Sequence, residues 1–237
     1  MKKFFTVLLF SPLMALASGL SIHLDNAPDV QGDKAALQSG AKTFVNYCLN
    51  CHGASYVRYN RLTELGLTEQ QVKDSLMFTA EKIGEPMRVA ARSADQKLWF
   101  GATPPDLSLI ARARASEEGS GADWLYTYLR SFYRDDKRPT GWNNTVFENV
   151  GMPHILWELQ GQQVLNHETH KLELAVPGKL PAAEYDKIIS ELVGYLVWMA
   201  EPTAGLRKQI GYGVLAFLLV LFGFAYALKK EYWKDIK

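Results

Sequence analysis

Five consecutive residues, Cys48-Leu49-Asn50-Cys51-His52, constrain this chain more than any other feature. Two thiols three positions apart can each bond one vinyl group of the same porphyrin, and the adjacent imidazole can reach its iron; this is the spacing of a c-type haem attachment site. These are the only two cysteines in the 237 residues. A redox dithiol needs no adjacent histidine, and a zinc site needs a second pair of ligands. A chance match is the remaining alternative, so the pattern predicts one covalently bound haem c.

Both ends of the chain indicate export and membrane anchoring. Lys2 and Lys3 precede an apolar stretch and small residues near Ala17, which is the order of a secretory signal. Residues 210–228 contain no charge over 19 positions. At about 1.5 Å per residue they nearly cross a hydrocarbon core of about 30 Å. The predicted segments are a signal peptide (1–17), a periplasmic haem domain (18–208), an anchor in the bacterial inner membrane (209–228) and a cytoplasmic tail (229–237).

The predicted exported domain differs in charge from the whole chain. The whole sequence has 26 Lys and Arg and 25 Asp and Glu. Lys2, Lys3 and the tail hold six of the basic and two of the acidic residues, which leaves 20 basic and 23 acidic residues. No basic stripe points to nucleic acid. A mildly acidic domain suits a basic soluble partner.

Apolar spacing predicts a mainly α-helical cytochrome c-type domain with irregular insertions and one C-terminal transmembrane helix. Leu37, Gly40, Phe44 and Tyr47 recur at spacings of three and four, which places them on one face of a helix. We expect this helix to cross a later one at Gly40 and so shield a haem. Asp106 is a candidate N-cap. The predicted elements are helices over 35–47, 68–83, 106–115, 123–133 and 182–200, an irregular stretch over 139–151 and a hairpin over 159–174.

The chemistry of such a haem depends on the iron ligand opposite His52. The candidates are methionines and histidines spread along the chain: Met77, Met87, Met152, Met199, His23, His154, His167 and His170. Met152 differs from the others because a glycine before it and a proline after it predict a stiff, non-helical loop. Such a loop can present the thioether in a fixed direction. Met87 follows Pro86 in a less regular stretch and stays a second possibility, while Met152 is favoured.

The predicted ligand pair decides between classes of function. An imidazole and a thioether occupy both faces of the iron and favour electron exchange over the binding of oxygen. Such a centre needs no general base or nucleophile, so no catalytic residue is predicted. Two alternatives stay open: another membrane-anchored monohaem cytochrome, such as an oxidase subunit, and a haem enzyme or gas sensor with an open iron position. A purely structural subunit would have no use for the attachment motif.

Several segments besides the haem motif resemble one known family. The most specific are Pro104-Pro105-Asp106 and, just before the apolar span, Ala200-Glu201-Pro202. The supporting segments are 48–52, 91–94, 101–108, 112–114, 139–141, 151–153, 198–202 and 207–208. Taken together, the chain resembles the cytochrome c1 family, the haem c subunits of the cytochrome bc1 complex. The resemblance extends over most of the domain and the anchor.

The resemblance implies a specific site and specific partners. Cys48 and Cys51 would form the thioether bonds, His52 and Met152 would ligate the iron, and Arg114 would pair with a haem propionate. The subunit would accept one electron from the Rieske iron–sulfur protein and pass it to a c-type cytochrome in respiration. Cytochrome b, the third core partner, would oxidise quinol elsewhere in this ubiquinol–cytochrome c reductase.

Two departures from the family pattern stand out. Trp124 occupies a position where a tyrosine is often found, and an indole has no hydroxyl for the propionate. Residues 96–100 are extra relative to the usual pattern.

Overall fold

The computed structural model describes residues 23–235, and the predicted signal peptide lies outside the described residues. The helices are α1 (Lys34–Thr43), α2 (Glu69–Ser75), α3 (Ser93–Phe100), α4 (Ile110–Ala113), α5 (Gly121–Arg130), α6 (Trp157–Gln160), α7 (Ala182–Ala200) and α8 (Ala204–Tyr232), with a π-helical segment (Phe44–Cys48) and a 3-10 helix (Tyr59–Leu65). The strands are β1 (Ala54–Arg58), β2 (Pro86–Met87), β3 (Phe132–Arg134), β4 (Trp142–Asn144), β5 (Gly161–Asn166) and β6 (Lys171–Pro177). They pair antiparallel as β1–β2, β3–β4 and β5–β6. The predicted mainly α fold with one long apolar C-terminal helix is confirmed.

Helices α1 and α7 form the central contact of the domain. Helix α7 has the predicted bounds, and α1 continues into the π-helical segment, one residue beyond the predicted helix at each end. A Cβ built on Gly40 would lie 2.1 Å from the carbonyl oxygen of Glu191 and 2.8 Å from Cβ of Tyr195. Only a residue without a side chain permits this approach. The crossing at Gly40 is therefore confirmed, and the ring of Phe44 packs 5.6 Å from that of Tyr195 beside it.

The helix predicted over 68–83 is wrong beyond Ser75. Thr68 caps α2 through a hydrogen bond from the Gln71 backbone N–H, as its position suggests. The carbonyls of residues 83 and 85, however, accept hydrogen bonds from the backbone N–H groups of residues 60 and 59, at 2.8 and 3.1 Å. Because these carbonyls are used in tertiary contacts, the segment after α2 does not continue the helical pattern.

The helix predicted over 106–115 is much shorter, and the prediction of Asp106 as its N-cap is wrong. Helix α4 begins at Ile110, and the residue preceding it is Leu109. The carboxylate of Asp106 instead accepts hydrogen bonds from the backbone N–H groups of Ser55 and Ser108, at 2.8 and 2.9 Å. Its first bond joins two segments that are distant in sequence, so a tertiary role replaces the local cap.

The remaining predictions between α4 and α7 hold in outline. Helix α5 begins two residues before the predicted 123–133 and ends three residues early, because Phe132 and its neighbours form β3. Ser120 and Asp123 form a capping box at its start. The stretch 139–151 is irregular apart from β4, and the hairpin predicted over 159–174 is confirmed as β5–β6.

Helix α8 is the only helix among residues 23–235 that is long and apolar enough to cross a membrane, with a mean hydropathy of 2.1 in its most apolar window. It extends beyond the predicted anchor at both ends. Three residues separate it from α7. Among them Glu201 forms ion pairs with Arg112 on α4 and Arg207 on α8. The hydrogen bond from Arg207 lowers the pKa of the Glu201 carboxyl. The linker between α7 and α8 thus forms ion pairs with helices on two sides.

Candidate haem-binding site

The predicted attachment residues lie on one closed turn. The π-helical segment ends at Cys48, whose carbonyl accepts hydrogen bonds from the backbone N–H groups of Cys51 and His52, at 3.0 and 2.8 Å. Both thiols are partly exposed, and neither is in a disulfide. Burial raises the pKa of the Cys48 thiol to about 12, so this thiol is protonated at neutral pH. The turn therefore presents two unpaired thiols and an imidazole together.

A buried glutamine holds this turn from outside. Nε2 of Gln96 on α3 donates to the carbonyl oxygen of Cys51 at 2.9 Å, and Gln96 is only 2% exposed. Leaving a buried polar group without its partner costs about 1–3 kcal/mol, so this contact favours one placement of α3. Gln96 belongs to the residues that are extra relative to the family pattern. No sequence pattern indicated that they contact the attachment turn.

The imidazole of His52 is oriented by a backbone carbonyl. Nδ1 lies 2.8 Å from the carbonyl oxygen of Pro105. A carbonyl only accepts, so Nδ1 bears the hydrogen and the lone pair of the neutral ring is on Nε2. Burial lowers the pKa of His52, outweighing the opposite effects of the Pro105 hydrogen bond and of Asp106. The neutral form that binds metals is therefore favoured, with Nε2 as the coordinating atom.

The proline-proline-aspartate block explains how that carbonyl is held in place. The backbone N–H of Leu107 donates to the carbonyl of Gly53 at 2.7 Å. The Asp106 carboxylate accepts a hydrogen bond from the backbone N–H of Ser55, in strand β1 just after the attachment motif. Although burial opposes it, the hydrogen bonds from Ser108 and Ser55 together lower the pKa of Asp106. The block is thus bound along the residues that follow His52, and it fixes Pro105 against the imidazole.

Met152 lies partly buried against the same hydrophobic core as Cys48. Its sulfur accepts a hydrogen bond from the hydroxyl of Tyr128 on α5, at 3.4 Å. The preceding Asn149 has a left-handed backbone, with φ of 61°, and its carbonyl accepts from the Arg138 guanidinium at 2.8 Å. These contacts agree with a loop of defined shape. Neither Tyr128 nor Arg138 was predicted as part of the site.

Arg114 has an aromatic rather than an acidic environment. Its guanidinium carbon lies 4.4 Å from the centre of the Trp124 ring and 5.5 Å from that of Phe147. Among the residues that the structure describes, no carboxylate forms an ion pair with it. Trp124 in turn stacks on Tyr128 with 4.8 Å between ring centres. The tryptophan therefore contributes a π-face to the arginine where a tyrosine would contribute a hydroxyl.

The other candidate methionines, Met77, Met87 and Met199, pack against the hydrophobic core. Met87 is fully buried, and its sulfur accepts a hydrogen bond from the Tyr195 hydroxyl at 3.5 Å. Met199 is 5% exposed on α7, and Met77 is partly buried against the same core. The second possibility for the iron ligand, Met87, is thus placed in the core between β2 and α7.

The histidines other than His52 fall into two groups. His154 is buried, stacked face to face on Phe132 at 4.9 Å and edge-on to Trp142 at 5.1 Å. Burial lowers its pKa to about 4, so it packs as a neutral core side chain. His23, His167 and His170 are exposed.

The residues present fit a covalently bound haem by their chemistry. The site offers the free thiols of Cys48 and Cys51 and the neutral imidazole of His52, whose carbonyl contact uses Nδ1 and leaves Nε2 available. It also offers the thioether of Met152 and the guanidinium of Arg114, which has no carboxylate partner among residues 23–235. These are the groups that would bond to vinyl carbons, ligate iron and pair with a propionate. Within residues 23–235, no group of three or more His, Cys, Asp and Glu side chains is placed to hold a metal ion.

Comparison with known proteins identifies relatives over nearly the whole chain. The model of the cytochrome C1 family matches residues 27–236. A protein named ammonia monooxygenase gamma subunit from Nitrosomonas europaea is 48% identical over 97% of this chain and 95% of its own length. Cytochrome c1 from Allochromatium vinosum is 43% identical over 98% and 97%, and cytochrome c1 from Rhodospirillum rubrum is 30% identical over 86% and 83%.

The extent of the family match and the C-terminal helix both bear on the family to which the chain belongs. The family match includes the attachment turn, the Met152 loop and helix α8 together, and the described chain has the single apolar C-terminal helix expected of a membrane-anchored subunit. The chain therefore belongs to the cytochrome c1 family, the electron-transfer subunits of the cytochrome bc1 complex that bind haem c covalently.

Proposed function

We propose that this chain holds a single haem c through thioether bonds from Cys48 and Cys51, with His52 and Met152 as the two axial ligands. The observation that supports this most strongly is the bond between Nδ1 of His52 and Pro105, because it directs Nε2 away beside two unpaired thiols. Met152 is supported by its fixed loop and by the burial of Met87 and Met199 in the core.

This ligand set makes the iron an electron carrier. With both axial positions filled by protein groups, oxygen and peroxide have no open coordination site. The soft thioether stabilises ferrous iron, which raises the reduction potential relative to a site with two imidazoles. When bound, the haem supplies the one-electron chemistry, and the chain supplies attachment, orientation and the electrostatic setting.

Arg114 is proposed to neutralise a haem propionate. Its guanidinium is held over Trp124 and has no carboxylate partner in the described part of the chain. A buried or half-buried carboxylate needs a compensating charge, and arginine provides one with up to two parallel hydrogen bonds.

The direction of electron flow follows the family. Membership supports cytochrome b and the Rieske protein as partners. We propose that the haem accepts one electron from the Rieske iron–sulfur protein and delivers it to a c-type cytochrome. The proposed arrangement is a cleaved signal peptide at 1–17, a periplasmic domain over 18–208, an anchor at 209–228 in the bacterial inner membrane and a cytoplasmic tail at 229–237.

Substitution of Met152 by leucine tests the ligand assignment in the full-length, haem-loaded protein in detergent. Met152→Leu keeps an apolar side chain of similar volume but removes the sulfur. We expect haem to stay attached, the near-infrared band of ferric iron with a thioether ligand to disappear, and the reduction potential to fall. Ferrous protein should gain carbon monoxide binding.

Met77→Leu is the matched control, since Met77 is also partly buried against the core. It should leave the band, the potential and the lack of carbon monoxide binding unchanged. An unaltered redox titration of Met152→Leu would refute Met152 as a ligand and reopen the alternative of an open iron position.

The relative named as an ammonia monooxygenase subunit raises a second candidate, a haem c subunit bound to a monooxygenase. Purification from membranes in mild detergent distinguishes the two. Recovery with cytochrome b and an iron–sulfur protein supports the proposed function, whereas recovery with monooxygenase subunits favours the second candidate.

A further inference from the structure

The hydroxyl of Tyr128 lies 3.4 Å from the sulfur of Met152. We propose that Tyr128 is a positioning residue that acts on the iron through Met152: its hydroxyl donates a hydrogen bond to the ligand sulfur and raises the reduction potential. This inference rests on the proposed function, because it requires Met152 to ligate the iron. A thioether sulfur has two lone pairs, so one can bind iron while the other accepts the O–H.

Within the part of the chain that the structure describes, the Tyr128 hydroxyl has no competing hydrogen-bond partner. Among residues 23–235, the Met152 sulfur is the only group that forms a hydrogen bond with it. The side chain is 8% exposed, so water does not readily replace that partner. A buried hydroxyl without a hydrogen-bond partner is destabilising. The contact is therefore favoured by both groups that form it.

The tyrosine ring is fixed on two sides. It stacks on Trp124 with 4.8 Å between centres and an interplanar angle of 14°, and it meets Phe132 edge-on at 5.0 Å. Trp124 and Tyr128 are four residues apart on α5, which places their rings on one face of the helix, and Phe132 at the start of β3 places its ring edge-on to Tyr128. Rings held in this way leave the hydroxyl little freedom to turn from the sulfur.

A fully buried asparagine connects this helix to the chain that leads to Met152. Nδ2 of Asn144 donates to the carbonyl of Tyr128 at 2.8 Å, while its Oδ1 accepts from the backbone N–H groups of Val146 and Phe147, at 2.9 and 3.1 Å. Asn144 thus ties the helix that carries the hydroxyl to the segment that precedes the Met152 loop. This link limits how far α5 and that segment can move apart.

The sign of the effect follows from electrostatics. The O–H dipole directs its positive end at the sulfur and withdraws electron density from it, which disfavours the more positive ferric iron relative to ferrous iron. Removing the hydroxyl should therefore lower the reduction potential. The iron ligand itself should not change, since the sulfur remains.

The test compares Tyr128→Phe with the wild type in haem-loaded, full-length protein. We expect the near-infrared thioether band to persist and the potential to shift downward by a measurable amount. Tyr185→Phe is the control, because Tyr185 is also buried and its hydroxyl donates to the Leu129 carbonyl of the same helix at 2.8 Å. It should leave the potential unchanged, and an equal shift in both variants would overturn the proposal.

A second measurement tests whether the effect acts through the sulfur. In a Met152→Leu background, Tyr128→Phe should produce no further shift, since the acceptor is gone. An equal shift in both backgrounds overturns the inference while leaving the ligand assignment intact. If Met152→Leu alone changes nothing, the proposed function fails instead.

Fluorinated tyrosine at position 128 covers the case in which Tyr128→Phe does not fold. Its hydroxyl is a stronger donor, so the potential should shift upward, opposite to the phenylalanine variant. A downward or absent shift in this protein contradicts the inference.

Discussion

The two sides of the proposed iron site are built in different ways. On the His52 side, the turn Cys48–His52 is closed by its own backbone, and a carbonyl of a short block orients the imidazole. On the Met152 side, the sulfur accepts a hydrogen bond from the Tyr128 side chain, and the Arg138 side chain binds the carbonyl of Asn149 in the same loop. A short motif can therefore close the attachment turn by itself, but the orientation of His52 depends on Pro105, 53 residues away, so both axial positions require the folded domain.

The largest expected effect comes from breaking the His52 side at its covalent bond. Cys51→Ser replaces a thiol by a hydroxyl that does not form a thioether, so at most one bond to the porphyrin remains. We expect the covalently attached haem to fall several-fold, measured by the mass of the intact purified protein. Asn50→Ser, an exposed change within the same turn, is the control and should keep full attachment. One haem per chain in Cys51→Ser would contradict the attachment role.

A smaller effect is expected from separating the helices behind that side. Gly40→Ala places a methyl group 2.1 Å from the Glu191 carbonyl oxygen, a backbone atom that cannot turn aside. Overpacking of this kind costs about 1–3 kcal/mol, and occasionally more. Chemical unfolding of the purified protein measures it. Gly32→Ala, with no atom within 4 Å of the added carbon, should change the free energy of unfolding little; equal losses would show that α1 and α7 are not held at Gly40.

The smallest expected effect is a loss of stability at the start of α5, the helix that carries Tyr128 on the Met152 side. Asp123 accepts hydrogen bonds from Ser120 and from the Ala27 backbone N–H, and together these lower its pKa although burial opposes them. Asp123→Ala should cost about 0.5–2 kcal/mol at pH 7, as for the loss of a helix cap. Unfolding measured at several pH values provides the check.

The pH dependence of that loss has a definite sign. A carboxyl whose pKa is lowered by folding stabilises the protein above its unfolded pKa of about 3.9, and this contribution disappears as the pH falls through the folded value. The difference between wild type and Asp123→Ala should therefore narrow in acid. Asp136→Ala, which removes an exposed carboxylate, is the control and should change the free energy of unfolding at pH 7 little. If the difference in free energy of unfolding between wild type and Asp123→Ala stays constant as the pH falls, the charge of Asp123 does not stabilise the fold.

How much of this could be predicted from sequence varies with the range of the contacts. Helix α7 matches its predicted bounds because a continuous apolar pattern ends at Glu201-Pro202. Gly40 was predicted at the crossing because a small residue interrupts an apolar face. The fold class and the hairpin were likewise set by local periodicity and turn residues.

The errors arise where side chains or carbonyls serve distant partners. The residues after Ser75 lack helical structure because carbonyls there bind the start of the 3-10 helix. Asp106 binds Ser55 rather than capping a helix. Gln96 and Tyr128 were missed for the same reason: an amide and a hydroxyl in a sequence do not indicate which carbonyl or sulfur they will meet.

The two ion pairs of Glu201 limit how the haem domain can move relative to its membrane helix. The linker has only three residues, and its carboxylate is bound to an arginine on each side, so the haem domain stays close to helix α8. Such a subunit stays at its anchor and does not diffuse between partners as a soluble electron carrier does. Any electron donor or acceptor therefore has to dock at the short distance from helix α8 that this linker sets.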